Sequence, residues 1–266
     1  MAVPVVVVDD HRMVGVPLVA ALTPALAAHG FRVLPLAVTV AAVGRTTAPG
    51  VAVCDVILDG GVSGAAAVEA LAGRGWRVLL MSGAAPEEQV LDAVAAGARG
   101  YLVKSDDPGS LVAAILAVAA TGRHLSPSLA ALLYADLGRR PEPRLSATDQ
   151  RVLRSFVQGE DAERAAASCG LTEPEVLAGV ERIFRAAVER RRRHQLTPRE
   201  LEVVRAVACE HLSTAEAARR LFMSIDTANT HLRSIRRKYR LVHPDAPATL
   251  PQRTAAQLWA RELNLC

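Results

Sequence analysis

The sequence predicts an α/β domain with a doubly wound parallel sheet, followed by an all-α half, and three observations carry that prediction. Up to about residue 121, short β-branched runs alternate with longer Ala/Leu-rich stretches, the pattern of βαβ units. Beyond Leu145 the strand signal stops. The helical remainder then repeats itself: the segment starting LSATDQRVLRSF at Leu145 lays over LTPRELEVVRAV at Leu196, at an offset of 51 to 52 residues.

Five strands are expected at residues 3–8, 31–34, 51–54, 77–81 and 100–103, with helices at 13–29, 38–43, 64–73, 86–96 and 108–120. Together they make a (βα)5 sheet, in which ligands collect outside the C-terminal ends of the strands. Ser126-Pro127 opens a short helix through Leu137, and GRRPEPR then has linker composition. Each repeat starts with a Ser/Thr cap and an acid three residues on, Ser146 with Asp149 and Thr197 with Glu200, close to a capping box. A second short helix and a capped third complete a tri-helical helix-turn-helix in each copy, and residues 251–263 add a fourth helix to the second. The expected segments are 1–121, a helical linker over 122–144, a first helical module over 145–194 and a second over 195–266.

Composition narrows the function classes. The apolar fraction is 51%, but Asp, Arg, Gly or Pro interrupt each apolar run before the roughly 18 residues a membrane span needs. The opening MAVPVVVVDDHR has neither a basic leader nor a small-residue cleavage site, so a cytoplasmic protein is expected. Cys54, Cys169, Cys209 and Cys266 are far apart with no C-x-x-C pair, which points to incidental thiols rather than a zinc site or disulfide framework. Residues 1–138 carry 8 basic against 11 acidic side chains, and 139–266 carry 23 against 16, so the C-terminal half is the candidate polyanion binder.

The strand ends carry the chemistry. Asp9 and Asp10 end the first strand, Asp55 the third, Ser82 follows the fourth and Lys104 the fifth. Like-charged carboxylates gathered on one rim call for a hard cation such as Mg2+. With that charge compensated, Asp55 is the candidate nucleophile for a phosphoryl group, steadied by Ser82 and Lys104. Only two of the 31 basic residues are lysine, Lys104 and Lys238, so a lysine here stands out from an arginine background.

VVVVDDH, CDVILDGGVSG, LLMSG and GARGYLVKS resemble the motifs of response-regulator receivers of the NarL/FixJ group, over about the first 121 residues. The resemblance implies a flavodoxin-like receiver in which Asp9, Asp10, Asp55 and the Ile57 carbonyl hold Mg2+. A histidine kinase would phosphorylate Asp55, Ser82 and Lys104 would bind the phosphoryl group, and Tyr101 would stand at the aromatic switch position. The loop after Asp55 departs from the family, with Asp59 in place of the usual Pro and one extra residue.

Leu196 to Tyr239 is similar to LuxR-type helix-turn-helix domains, at LTPRE, Ala217-Ala218, Thr227, His231 and Leu232. By that resemblance the third helix enters the major groove. Asn229, Thr230 and Arg233 are the base-reading candidates, because Asn and Arg match base edges, and Arg236, Arg237 and Lys238 are the phosphate contacts. Ala228 stands for the usual Val and Asn229 for a frequent Lys. The first repeat has Leu177, Ala178 and Glu181 at the reading positions, which disfavours DNA; it is expected to serve as a spacer or self-association surface whose Arg190–Arg193 run touches DNA backbone.

The expected function is a phosphorylation-controlled, DNA-binding transcription factor acting as a homodimer. Its partners are double-stranded DNA, a histidine kinase and RNA polymerase, with no membrane. Two alternatives stay open: a phosphorylation-independent DNA-binding regulator whose receiver dimerises or senses a ligand, and an adaptor that sequesters another regulator. No substrate-pocket motif accompanies the acidic rim, so an enzyme is not expected.

Overall fold

The computed structural model describes residues 2–46, 49–58, 62–104, 108–138, 145–243 and 245–266, and the chain divides into two compact units, Met1–Glu189 and Arg190–Cys266. In the first unit, β1 (Val3–Val8), β2 (Phe31–Val33), β3 (Gly50–Asp55), β4 (Trp76–Ser82) and β5 (Gly100–Val103) form one parallel sheet in the order β2-β1-β3-β4-β5. Every residue of β3 is buried, as expected for the centre of a sheet covered on both faces. α1 (Arg12–Ala27) and α4 (Pro108–Thr121) bury Leu22, Leu26, Leu111 and Ile115 on one face; α2 (Gly64–Ala72) and α3 (Glu87–Ala95) bury Val68, Leu71, Val90 and Val94 on the other. The (βα)5 expectation holds for four of the five strand–helix units.

The fifth is different. Where a helix was expected over 38–43, only Val40–Ala42 turns, as a single 3-10 turn capped by Thr39. So short a segment cannot offset helix nucleation alone, and its carbonyls are taken from outside: Arg74 donates to Val40 O and Val43 O, and Trp76 Nε1 to Gly44 O.

α5 (Pro127–Gly138) begins at Ser126, whose hydroxyl accepts the Leu129 N–H at 3.2 Å and donates to the Tyr101 carbonyl at 2.5 Å. Leu129, Ala130 and Leu133 are fully buried and extend the second core of the sheet into α6 (Ala147–Val157), α7 (Ala162–Cys169) and α8 (Glu173–His194). The first helical repeat therefore shares a hydrophobic core with the sheet instead of standing apart from it, and the division between the units falls within α8. The GRRPEPR segment lies outside the described residues from 139 to 144.

In the second unit α9 (Pro198–Val204) has a complete capping box between Thr197 and Glu200 and continues as a π turn over Arg205–Cys209. α10 (Thr214–Arg220), α11 (Ile225–Val242) and α12 (Gln252–Glu262) close around Val203, Val207, Leu232, Ile235 and Trp259. The cysteine expectation is corrected here: Cys209 and Cys266 form a disulfide with Cα atoms 5.3 Å apart, while Cys54 and Cys169 are buried thiols. Folding brings together partners 57 positions apart, which no local spacing rule reveals.

Candidate functional site

Parallel register sets the depth of each rim residue. Asp55 pairs with Met81, Ser82 with Val103, and β1 ends level with Cys54, so the carboxylates of Asp9 and Asp55 emerge side by side where the strand order reverses. Lys104 reaches back between them: its Nζ donates to Asp9 Oδ2 at 2.8 Å and to Asp55 Oδ2 at 2.6 Å. The other oxygens are held by backbone, Asp9 Oδ1 by the His11 N–H at 2.9 Å and Asp55 Oδ1 by the Ile57 N–H at 3.1 Å. Both carboxylates are thus fixed in orientation at a site where Asp9 is wholly inaccessible.

Burial works against the Lys104 charge, but its hydrogen bonds to Asp55 and Asp9 and their negative charges more than offset this, so its pKa stands above the usual lysine value. Next to it, burial first, then the charges of Asp55 and Asp9, push the Cys54 thiol up to about 12, so it stays protonated and inert. Ser82 is buried at the end of β4 and accepts the Ala84 N–H at 3.3 Å. Tyr101 is buried too, and its carbonyl is the one that Ser126 binds.

The donor set fits a hard divalent cation. Asp9, Asp10, His11 and Asp55 each offer a ligand atom, all within 4.8 Å of one another, and two of the three carboxylates share the Lys104 ammonium. Of the sequence-predicted rim, Asp9, Asp10, Asp55, Ser82 and Lys104 converge, with Ile57 at the edge through its backbone. His11 was not singled out from the sequence; its Nδ1 lies 3.0 Å from Asp10 Oδ1. Asp59 lies outside the described residues.

Residues 5–116 match the response regulator receiver domain. A curated relative, the transcriptional regulatory protein UhpA of Salmonella typhimurium, is 32% identical over 122 residues, 46% of this chain and 59% of that protein, so the match spans less than two thirds of the relative's length. Among solved structures, the response regulator ChrA of a heme-sensing two-component system aligns at 24% identity and a TM-score of 0.43, over 100% of this chain and 99% of that one. A LuxR-family two-component response regulator from Aurantimonas sp. SI85-9A1 aligns at 28% identity and a TM-score of 0.43, over 51% and 98%.

Outside the receiver domain, α11 presents a periodic surface. Ala228, Leu232, Ile235 and Tyr239 face the core. Asp226, Thr230, Arg233, Arg237 and Arg240 are exposed at alternating spacings of four and three, one stripe along the helix, with Asn229 and Arg236 half-buried beside it. Thr230 Oγ1 donates to the Asp226 carbonyl at 2.9 Å.

Lys238 does not join that stripe. It is buried, and its Nζ donates to Glu200 Oε2 at 2.6 Å and to the Gln195 carbonyl at 2.9 Å, so its expected role as a phosphate contact is corrected to an internal ion pair. Burial opposes ionisation of Glu200, but hydrogen bonds from Lys238, the Thr197 N–H and Ser234 outweigh it and hold the pKa below the usual carboxylate range. The first repeat has a counterpart: Asp149, the acid three residues after its cap, receives Arg182 from α8 through two nitrogens, at 2.7 and 3.0 Å.

The face of α8 equivalent to the exposed stripe of α11 is also exposed at Ala178 and Arg185, and one of its residues, Glu181, is engaged. Glu181 is bound by Arg123, with Nη2 3.2 Å from Oε1, and the Arg123 guanidinium lies 4.5 Å over the Phe184 ring. Leu177 and Val180, with Ala113 and Ala117 of α4, line a cavity of about 670 Å3. Arg190 is almost wholly buried, so the expectation that the arginine run reaches DNA backbone fails at its first member.

Proposed function

We propose that the chain is a two-component response regulator in which a histidine kinase phosphorylates Asp55, and that phosphorylation controls dimerisation and promoter binding through α11. The observation that carries the first half is the single ammonium of Lys104 held between Asp9 and Asp55 at the sheet rim. In phosphoryl transfer, an Asp55 carboxylate oxygen bonds to phosphorus as the bond to the donor's nitrogen breaks. Lys104 then shifts from that carboxylate to an equatorial phosphoryl oxygen, and the Ser82 hydroxyl donates to another. Mg2+, held by Asp9, Asp10, Asp55 and the Ile57 carbonyl, would supply charge neutralisation on the incoming oxygens.

Tyr101 is the route outward. A change in its packing on phosphorylation reaches α5 through the Ser126 hydroxyl bound to its carbonyl. On the DNA side, Asn229, Thr230 and Arg233 read bases and Arg236 and Arg237 bind phosphates; a dimer places two such helices on adjacent half-sites. The first repeat serves as an internal docking element, since it shares a hydrophobic core with the sheet and its Glu181 pairs with Arg123. Phosphotransfer from a kinase places the protein in the cytoplasm, and among the described residues no helix is long and apolar enough to cross a membrane. Recruitment of RNA polymerase follows promoter binding.

The test uses acetyl phosphate with and without Mg2+, reading intact mass and affinity for selected DNA on the full chain. Wild type is expected to gain one phosphoryl group only with Mg2+ and to bind DNA more tightly, whereas Asp55→Asn does neither. DNA affinity indifferent to the phosphodonor in both proteins would instead establish the phosphorylation-independent regulator.

A further inference from the structure

We propose that Cys209 and Cys266 are a reversible thiol–disulfide modification site that clasps the second unit around its recognition helix. Non-covalent packing brings the two sulfurs together. Cys209 ends the π turn, whose Ala206 and Ala208 are buried in the core that also takes Ala255 and Ala256 of α12. Cys266 is placed by the end of α12: Leu263 N–H donates to Trp259 O and Leu265 N–H to Ala260 O, Asn264 takes a positive φ of 50°, and Leu265 packs on the same core. These contacts do not depend on the sulfur–sulfur bond, so the reduced pair stays within reach of closure.

Exposure separates this pair from the other cysteines. Cys266 is exposed and Cys209 half-buried, whereas Cys54 and Cys169 are buried. Thiol exchange needs an accessible sulfur. Closing the bond removes two protons and two electrons from the thiols; a peroxide accepts them and leaves as two waters, or a small-molecule disulfide accepts them and leaves as two thiols. A dithiol reductant reverses the step.

The bond closes a loop of 57 positions that contains α10, α11 and α12. Within it, α12 holds α11 through Trp259 edge-on to Tyr239 at 5.6 Å and through Glu262, which binds Tyr239 Oη and His243 Nε2, each at 3.0 Å. Closure restricts the unfolded loop and so stabilises this packing.

The test treats the full chain with glutathione disulfide or dithiothreitol, in a Trp76→Phe background that leaves Trp259 as its one tryptophan. The oxidised protein is expected to be lighter by two hydrogens and to lose two alkylatable thiols, which dithiothreitol restores. Its Trp259 melting transition should lie about 10 °C or more above that of the reduced form. Cys209→Ser should remove both differences, and Cys54→Ser with Cys169→Ser should remove neither. Four alkylatable thiols after oxidation, or a transition that ignores the redox state, would overturn the proposal. Neither readout involves DNA or phosphorylation, so the outcome is independent of the function proposed above.

Discussion

Replacing Lys238 by Met tests whether α11 uses that residue inwardly or on a nucleic acid. The substitution keeps the length of the aliphatic stem but removes the ammonium that Glu200 and the Gln195 carbonyl share. Glu200 is only 3% exposed, so its carboxylate is left in low dielectric with the Thr197 N–H and Ser234 as its remaining partners. Removing one member of a buried pair costs about 3–5 kcal/mol. Because the Lys238 side chain retains some exposure, the lower end applies, about 3 kcal/mol. For a unit of this size that lowers Tm by about 12 °C or more. The loss should be greatest where Glu200 is ionised and should shrink as falling pH protonates it, since removing Lys238 takes away one of the partners that offset burial and so raises its pKa relative to wild type. Urea unfolding of the second unit in the Trp76→Phe background, followed by Trp259 fluorescence, measures this. Arg237→Ala is the control: its side chain is exposed, so stability should change by less than about 0.5 kcal/mol while the salt slope of DNA binding falls by about one. A Lys238→Met protein with unchanged unfolding and a reduced salt slope would refute the internal assignment.

Burial holds the His124 imidazole neutral, its pKa lowered to about 4. The unfolded chain binds a proton below about pH 6.5 that the folded chain refuses until about pH 4, so stability is lost as pH falls across that window, by about 3 kcal/mol in all. His124→Gln should flatten this part of the pH profile of the urea midpoint, and equal slopes in both proteins would exclude the assignment. Glu181→Lys sets a cation among Arg99, Arg123 and Arg185 in place of a partner. It should weaken docking of the first repeat by about 1 kcal/mol, seen as faster amide exchange in α8; unchanged exchange would show that the Arg123 contact holds nothing.

The strands were legible as short apolar runs, and four of the five lead into a polar residue, Asp9, Asp55, Ser82 or Lys104; in a parallel sheet those ends must converge. The rim of Asp9, Asp55, Ser82 and Lys104 followed from the same pattern. What escaped depended on partners distant in sequence. Residues 38–43 have helical composition, but Arg74 and Trp76 take their carbonyls. The rarity of lysine singled out Lys104 as a phosphoryl ligand candidate, and the fold sets its Nζ between Asp9 and Asp55; Lys238 was assigned from its basic neighbours on α11, which masked the buried Glu200 beneath. Leu177 and Glu181 set the expectation that the first repeat does not read DNA, yet only the fold supplies Arg123 as the partner of Glu181.

The shared core across α5 and α6 bears on how such a chain can be cut and recombined. A receiver excised at residue 121 would leave the partners of Leu129, Leu133, Val152 and Phe156 facing water, and such a fragment should be sticky in isolation. A graft that exchanges the DNA-reading end for another would keep α5 to α7 and most of α8 with the sheet. The cassette boundary for protein engineering therefore lies one repeat later than motif spacing alone suggests.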